Sequence, residues 1–253
     1  MAHTRVDLNA DVGESFGPWT LGQDRALFPY ITSANIACGF HAGDAGVMRA
    51  TVELAREHGV AVGAHPGFPD LQGFGRREMR LSPREVEDLV VYQIGALAAV
   101  AAAQGVALRH VKVHGALYNM AAADRALADA VARATAAVDH ALVLLGLPGS
   151  ELIRAGEQVG LVTASEVFAD RAYRSDGSLV PRRQAGALIE DEAAVSARAV
   201  AMVRAQAVVA QDGTCVPLKV DTICLHGDTP GAARLAARVR EALRAAAIDV
   251  APL

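Results

Sequence analysis

Short apolar or β-branched runs alternate with longer helix-forming stretches along most of the chain. The runs at 6–9, 33–37, 61–64, 110–113, 141–144, 161–165 and 220–225 are strand-length and rich in Val, Ile, Leu and Ala. That is how strands covered on both faces read. Between them, 46–58, 83–104, 123–138, 150–159 and 190–210 are built from helix formers, and 229–247 follows the last strand. Ser82-Pro83-Arg84-Glu85 opens one of these stretches as a capping box with Pro at the first helical position. Strand then helix, repeated about seven times, makes a mostly parallel α/β sheet, either open and doubly wound or closed into a barrel. No Ser/Pro-rich linker, low-complexity tract or fixed-period repeat interrupts the pattern, so one domain over 1–253 is expected.

The polar residues decide between the two architectures. Asp11 and Glu14 follow the first strand, His41 and Asp44 the second, His65 the third, and His114 and Asn119 the fourth. Asp170 and Arg171 come soon after the sixth, and His226 and Asp228 after the seventh. An open, flavodoxin-like sheet gathers only two or three such loops at its crevice, whereas a barrel brings every strand's C-terminal end to one mouth. The expected fold is therefore a TIM-like (β/α) barrel with seven strands.

Composition and charge narrow the function. Hydrophobic residues make up 52% of the chain and charged ones 21%, enough apolar material for a full core. Lys and Arg number 24 against 28 Asp and Glu, a net charge of −4 with the signs mixed, so neither a nucleic-acid stripe nor a polybasic membrane patch is expected. The uncharged stretch 89–108 is long enough to cross a bilayer. Its Gln93, Gly95, Gln104 and Gly105 and its many alanines read instead as a buried helix. Cys38, Cys215 and Cys224 show no CxxC spacing and point to no disulfide framework. Residues 1–7 lack the apolar run of a secretory signal, and the expected compartment is the cytoplasm.

The chemistry sits in the loops. In Asp11-Val12-Gly13-Glu14, Gly13 can turn the backbone so that both carboxylates face one cavity, although a loop cap would read the same way. Asp44 is placed to N-cap the next helix, and Cys38 reads as a small buried residue. One His after a strand is easily a satisfied core residue. Several in register are hard to attribute to packing, because each buried imidazole needs hydrogen-bond partners. His3, His58, His110 and His140 lie at termini, helix ends or strand starts and read as structural. Lys112 supplies a functional amine if it points into the barrel. The polar stretch 166–182, with Arg171, Arg174 and Arg182, reads as a lid or binding loop.

Asp11, Glu14, His41, His65 and His114 are thus the candidate catalytic residues, and Asn9, Lys112, Asn119, Asp170, Arg171, His226 and Asp228 the candidate substrate contacts. Asp11 is the expected general base and His41 or His65 its acid partner. The spacing does not decide whether a divalent metal, held by Asp11, His41 and His65, takes part. Neither GxxxxGK[ST] nor a strand-associated GxGxxG occurs, so no self-sufficient nucleotide site is expected.

Read together, LNADVGES (8–15), ANIACGFHAGD (34–44), VGAHPGFPD (62–70), VKVHGALYN (111–119), EVFADRAYRSDGSLVPR (166–182) and CLHGDTP (224–230) resemble the LamB/YcsF family, nearly end to end. The resemblance implies an incomplete, seven-stranded TIM-like barrel of the glycoside hydrolase/deacetylase kind. It also implies one component of an ATP-dependent 5-oxoprolinase that works with separate B and C subunits and opens 5-oxo-L-proline to L-glutamate, with ATP as co-substrate of the complex. Which of them binds ATP, and whether the chain also self-associates, stay open. Two other readings remain at this stage: a metal-dependent amide or sugar deacetylase, and a non-catalytic ligand-binding or regulatory subunit.

Overall fold

A computed structural model describes residues 5–181, 184–226 and 231–253. In chain order the strands are β1 (Arg5–Val12), β2 (Ser33–Ala37), β3 (Ala61–His65), β4 (Leu108–Val111), β5 (Val143–Gly146), β6 (Thr163–Phe168), β7 (Ala207–Val209), β8 (Cys215–Pro217), β9 (Thr222–His226) and β10 (Asp249–Val250). The helices are α1 (Asp24–Leu27), α2 (Ala45–His58), α3 (Pro83–Ala102), α4 (Gly115–Ala123), α5 (Arg125–Val138), α6 (Glu151–Gln158), α7 (Glu192–Ala205) and α8 (Ala232–Ala245). Strands β1 to β6 pair in sequence, all parallel, β6 pairs with β9, and β9 pairs back to β1. These seven strands form the closed barrel that the sequence pattern predicts. Strand β10 extends β1 at its start, and β7 with β8 forms a separate antiparallel hairpin.

The outward faces of the strands bury Leu8, Ala10, Val12, Ile36, Val62, Ala64 and Val111 against the helices. Helix α3 covers much of 89–108, and among the described residues no helix is long and apolar enough to cross a membrane. The capping box is present at Ser82 and Glu85, and the Asp44 carboxylate accepts from Gly46 N and Val47 N at the start of α2.

The barrel's inward face is polar. Along β1 the alternation sends Asp7, Asn9 and Asp11 inward. Asp7 accepts from the hydroxyls of Thr32, Ser33 and Thr222 at 2.7, 2.7 and 2.5 Å. Burial pushes its pKa up against the pull of those hydroxyls. One layer higher, Asn9 donates to Thr222 Oγ1 and accepts from Asn35 Nδ2, both at 2.7 Å. His110 reaches across to Asn35 Oδ1 at 2.8 Å. A side chain at position 63 would block that reach, since a Cβ on Gly63 would lie 2.1 Å from His110 Nε2. His110 is therefore structural, as expected, and lies in the barrel interior.

Some elements depart from the sequence pattern. The helix expected over 190–210 ends at Ala205; Gln206 takes a left-handed φ of 47°, and 207–209 becomes a strand of the hairpin. The helix expected over 123–138 is preceded by a second one, α4, with Asp124 capping the start of α5.

Candidate active site

The top layer of the barrel holds a compact ionic cluster. Lys112, just past β4, donates its backbone N–H to Ala64 O at 3.0 Å, which keeps the strand direction and turns its side chain inward. Its Nζ donates to Asp11 Oδ1 at 2.8 Å and to Cys224 Sγ at 3.0 Å, and lies 2.9 Å from Glu166 Oε1. Burial alone would lower the pKa of this amine, but Asp11, Cys224 and Glu166 together hold it well above its ordinary value. Lys112 is a buried ammonium.

Asp11 also accepts from Asn35 Nδ2 at 2.8 Å, and its Oδ2 lies 3.4 Å from His65 Nε2. Burial would raise its pKa, yet His65 and Lys112 outweigh it and keep the carboxyl well below the usual range. The carboxylate expected as general base is thus already paired on one oxygen with an ammonium, which favours its charged form. Its side chain, 16% exposed against 4% for Lys112 and 0% for Glu166, is the most open of the three.

The imidazoles stand beside this cluster. His65 Nδ1 faces Lys112 O at 2.7 Å, and His114 Nε2 faces Phe74 O at 2.8 Å. The remaining nitrogens, His65 Nε2 and His114 Nδ1, are 2.9 Å apart. His41 stacks on His114 with ring centroids 3.8 Å apart and planes within 2° of parallel. Among the described residues neither ring nitrogen of His41 has a hydrogen-bond partner. Glu14 Oε1 lies 3.8 Å from both His41 Nε2 and His114 Nδ1. Burial, and then the other imidazoles, drive the pKa of His41 well below normal; the same causes bring His114 down to about 3. Both rings are neutral at pH 7. Gly75 makes this packing feasible, for it adopts a φ of 62° and a Cβ there would come within 2.8 Å of both His41 and His114.

Of the residues expected from sequence, Asp11, Glu14, His41, His65, His114 and Lys112 come together at the mouth. Asn9 is fully buried beneath them and bonded within the barrel. Asn119 is exposed on α4 and donates to Gly115 O of its own helix at 3.1 Å, so it is not brought to the cluster. Arg171 clasps the loop after β6 through Nη2 to Val180 O at 2.8 Å, and the Asp170 carbonyl accepts from Ile189 N at 2.8 Å. His226 closes β9 in register with Asp11. Its side chain, Arg182 and Asp228 lie outside the described residues. Burial pushes the Cys38 thiol up to about 12, as befits an inert packed residue.

Four participants escaped the reading of loop motifs: Asn35, His110, Glu166 and Tyr118. Tyr118 is buried beside Glu166; burial first, and then that carboxylate, raise its phenol well above normal. Three of the four lie inside strands. The available signal was the period-two polar pattern Asp7, Asn9, Asp11 and Ser33, Asn35 within runs otherwise apolar.

A closed parallel barrel with a carboxylate and imidazole cluster at the C-terminal ends of its strands is the frame of a barrel enzyme. The chain belongs to the LamB/YcsF family, whose model matches residues 6–253. It is 57% identical over 246 residues to a Bacillus subtilis protein named as the A subunit of 5-oxoprolinase, covering 97% of this chain and 96% of that one. A Methylococcus capsulatus protein of the same name is 58% identical over 253 residues, covering 100% and 97%. The crystal structure of the lactam utilization protein from Thermus thermophilus superposes with a TM-score of 0.94 at 50% identity, over 98% of this chain and 100% of that one.

Proposed function

We propose that this chain is one component of an ATP-dependent 5-oxoprolinase and that its barrel mouth opens the lactam of 5-oxo-L-proline to L-glutamate. The observation that carries the reading is near-full-length identity to proteins of that name, and the acid/base cluster at the mouth supplies chemistry that fits it. The lactam is resonance-stabilised and its five-membered ring recloses readily, so ATP provides the driving force. A phosphoryl group transferred to the amide oxygen makes the carbonyl carbon a better electrophile. One water adds to that carbon, the C–N bond breaks as the ring nitrogen gains a proton, and a second water releases the phosphate.

In this reading the cluster of Glu14, His41, His65 and His114 carries the protons that hydrolysis moves. Asp11 and Lys112 fix the charge that the ring meets and orient His65. Because the sequence has no phosphate-cradling motif, the B and C partners activate the lactam with ATP. The three unpaired cysteines support a reducing compartment, and we place the complex in the cytoplasm.

Glutamate release from 5-oxoproline and ATP, measured for the chain alone and with its B and C partners, tests this. The chain alone is expected to show little or no ATP-dependent turnover, and the complete set full turnover. No glutamate from the complete set would overturn the function. Full turnover by the chain alone would overturn the division of labour.

A further inference from the structure

The two carbonyl contacts fix the proton positions on two of the histidines. A carbonyl only accepts, so His65 carries its proton on Nδ1, toward Lys112 O, and His114 carries its proton on Nε2, toward Phe74 O. In neutral rings, His65 Nε2 and His114 Nδ1 are then both lone-pair donors, facing one another at 2.9 Å. Two lone pairs at that distance repel unless an electron acceptor lies between them. Backbone carbonyls holding the far nitrogen of each ring are also the usual supports of metal-binding histidines.

A carboxylate completes the set. One donor atom from each of Glu14, His41, His65 and His114 lies within 4.8 Å of the others. Adjacent ligands of an octahedral ion with bonds of ~2.1 Å are ~3.0 Å apart, and those of a tetrahedral ion ~3.4 Å. The His65–His114 separation already fits, and the 3.8 Å from Glu14 Oε1 to His114 Nδ1 closes with a small side-chain adjustment. His41 stands differently. Parallel to His114, it cannot aim an in-plane lone pair at the same ion, but it is wholly buried, makes no hydrogen bond through either nitrogen among the described residues, and turns Nε2 toward Glu14.

We propose that Glu14, His65 and His114 bind one divalent first-row transition-metal ion, with His41 covering the site and facing the ion's open side. Two imidazoles and one carboxylate suit zinc, manganese, iron or cobalt rather than magnesium or calcium. The donors differ from the Asp11, His41 and His65 set considered from sequence, because Asp11 is engaged by Lys112. The proposal deepens the reading of the mouth as a hydrolytic centre. Binding is read on the chain alone, so its failure is separable from failure of the lactam reading.

The test strips the purified chain with chelator, dialyses it against zinc, manganese or cobalt, removes loose ion, and measures bound metal by mass spectrometry together with thermal unfolding. About one equivalent per chain is expected, with unfolding raised by several degrees. In Glu14→Gln and His114→Gln, both checked for folding by circular dichroism, affinity should fall at least ~10-fold. Two results would overturn the proposal. One is a folded wild-type chain that keeps under a tenth of an equivalent of each ion and shows no thermal shift, which would leave a shared proton between His65 and His114. The other is undiminished binding in both variants. Metal retention without glutamate release by the complete complex would count against the lactam reading alone.

Discussion

Among the described residues, the ammonium of Lys112 is the one cation in contact with both Asp11 and Glu166. Lys112→Met keeps the volume of the stem and removes the charge, leaving two carboxylates facing each other in a buried site. Breaking a buried pair in this way costs about 3–5 kcal/mol. Urea unfolding at pH 7 should report a loss in that range, and a loss below about 1 kcal/mol would show that the cluster does not depend on the ammonium. The pairing of Asp11 with Lys112 was not legible in the sequence. A short carboxylate at a strand end after a buried run reads as a base, and only the position of Lys112, whose inward or outward direction the sequence left open, shows that the carboxylate is already committed.

At the scale of elements, β1, β2 and β4 cooperate to bury a polar interior. His110, fully buried, is pulled down to a pKa of about 3, chiefly by burial and then by Lys112 and His65. Its pKa in the unfolded chain is about 6.5. Between these values the unfolded chain holds one more proton than the folded chain at this residue, so stability rises with pH across the window and is lost as pH falls through it. His110→Gln removes that proton while keeping an amide to reach Asn35. The slope of unfolding free energy between pH 4.5 and 5.5 should therefore flatten by about 1.4 kcal/mol per pH unit. An unchanged slope would mean that His110 is already protonated in the folded barrel. The strands themselves were legible because their apolar runs are bounded by turn residues, though β4, β5 and β6 fall about two residues from their expected positions. Residues 207–209 were not, since Ala and Val after a long helical stretch carry no period that separates strand from helix. Nor was α4, whose start at Gly115 coincides with a strand-end motif that reads as loop.

For the whole molecule, closure of the barrel brings residues from the ends of β1, β2, β3 and β4, with Glu166 of β6 and Cys224 of β9, into one site. That step was legible, because polar residues recurred at strand ends: Asp11, Glu14, His41, His65 and His114 do meet. Asn119 was misplaced because it follows its strand at a distance that a helix, rather than a loop, occupies. The lock on His114 was beyond the sequence, since a main-chain carbonyl at Phe74 leaves no residue signature. A catalytic mouth and a merely ligand-holding one share this closure and differ in what a substitution does. If the mouth carries out the reaction, altering it stops turnover without disturbing assembly.

The direct measurement is glutamate release from 5-oxoproline and ATP by the complete complex carrying Asp11→Asn, with complex formation followed in parallel by size-exclusion chromatography. The substitution nearly preserves size while removing the charge that faces Lys112 and His65. Turnover should fall by roughly 100-fold or more with assembly unchanged. A complex that assembles normally and turns over within a few-fold of wild type would contradict a catalytic role for the barrel mouth.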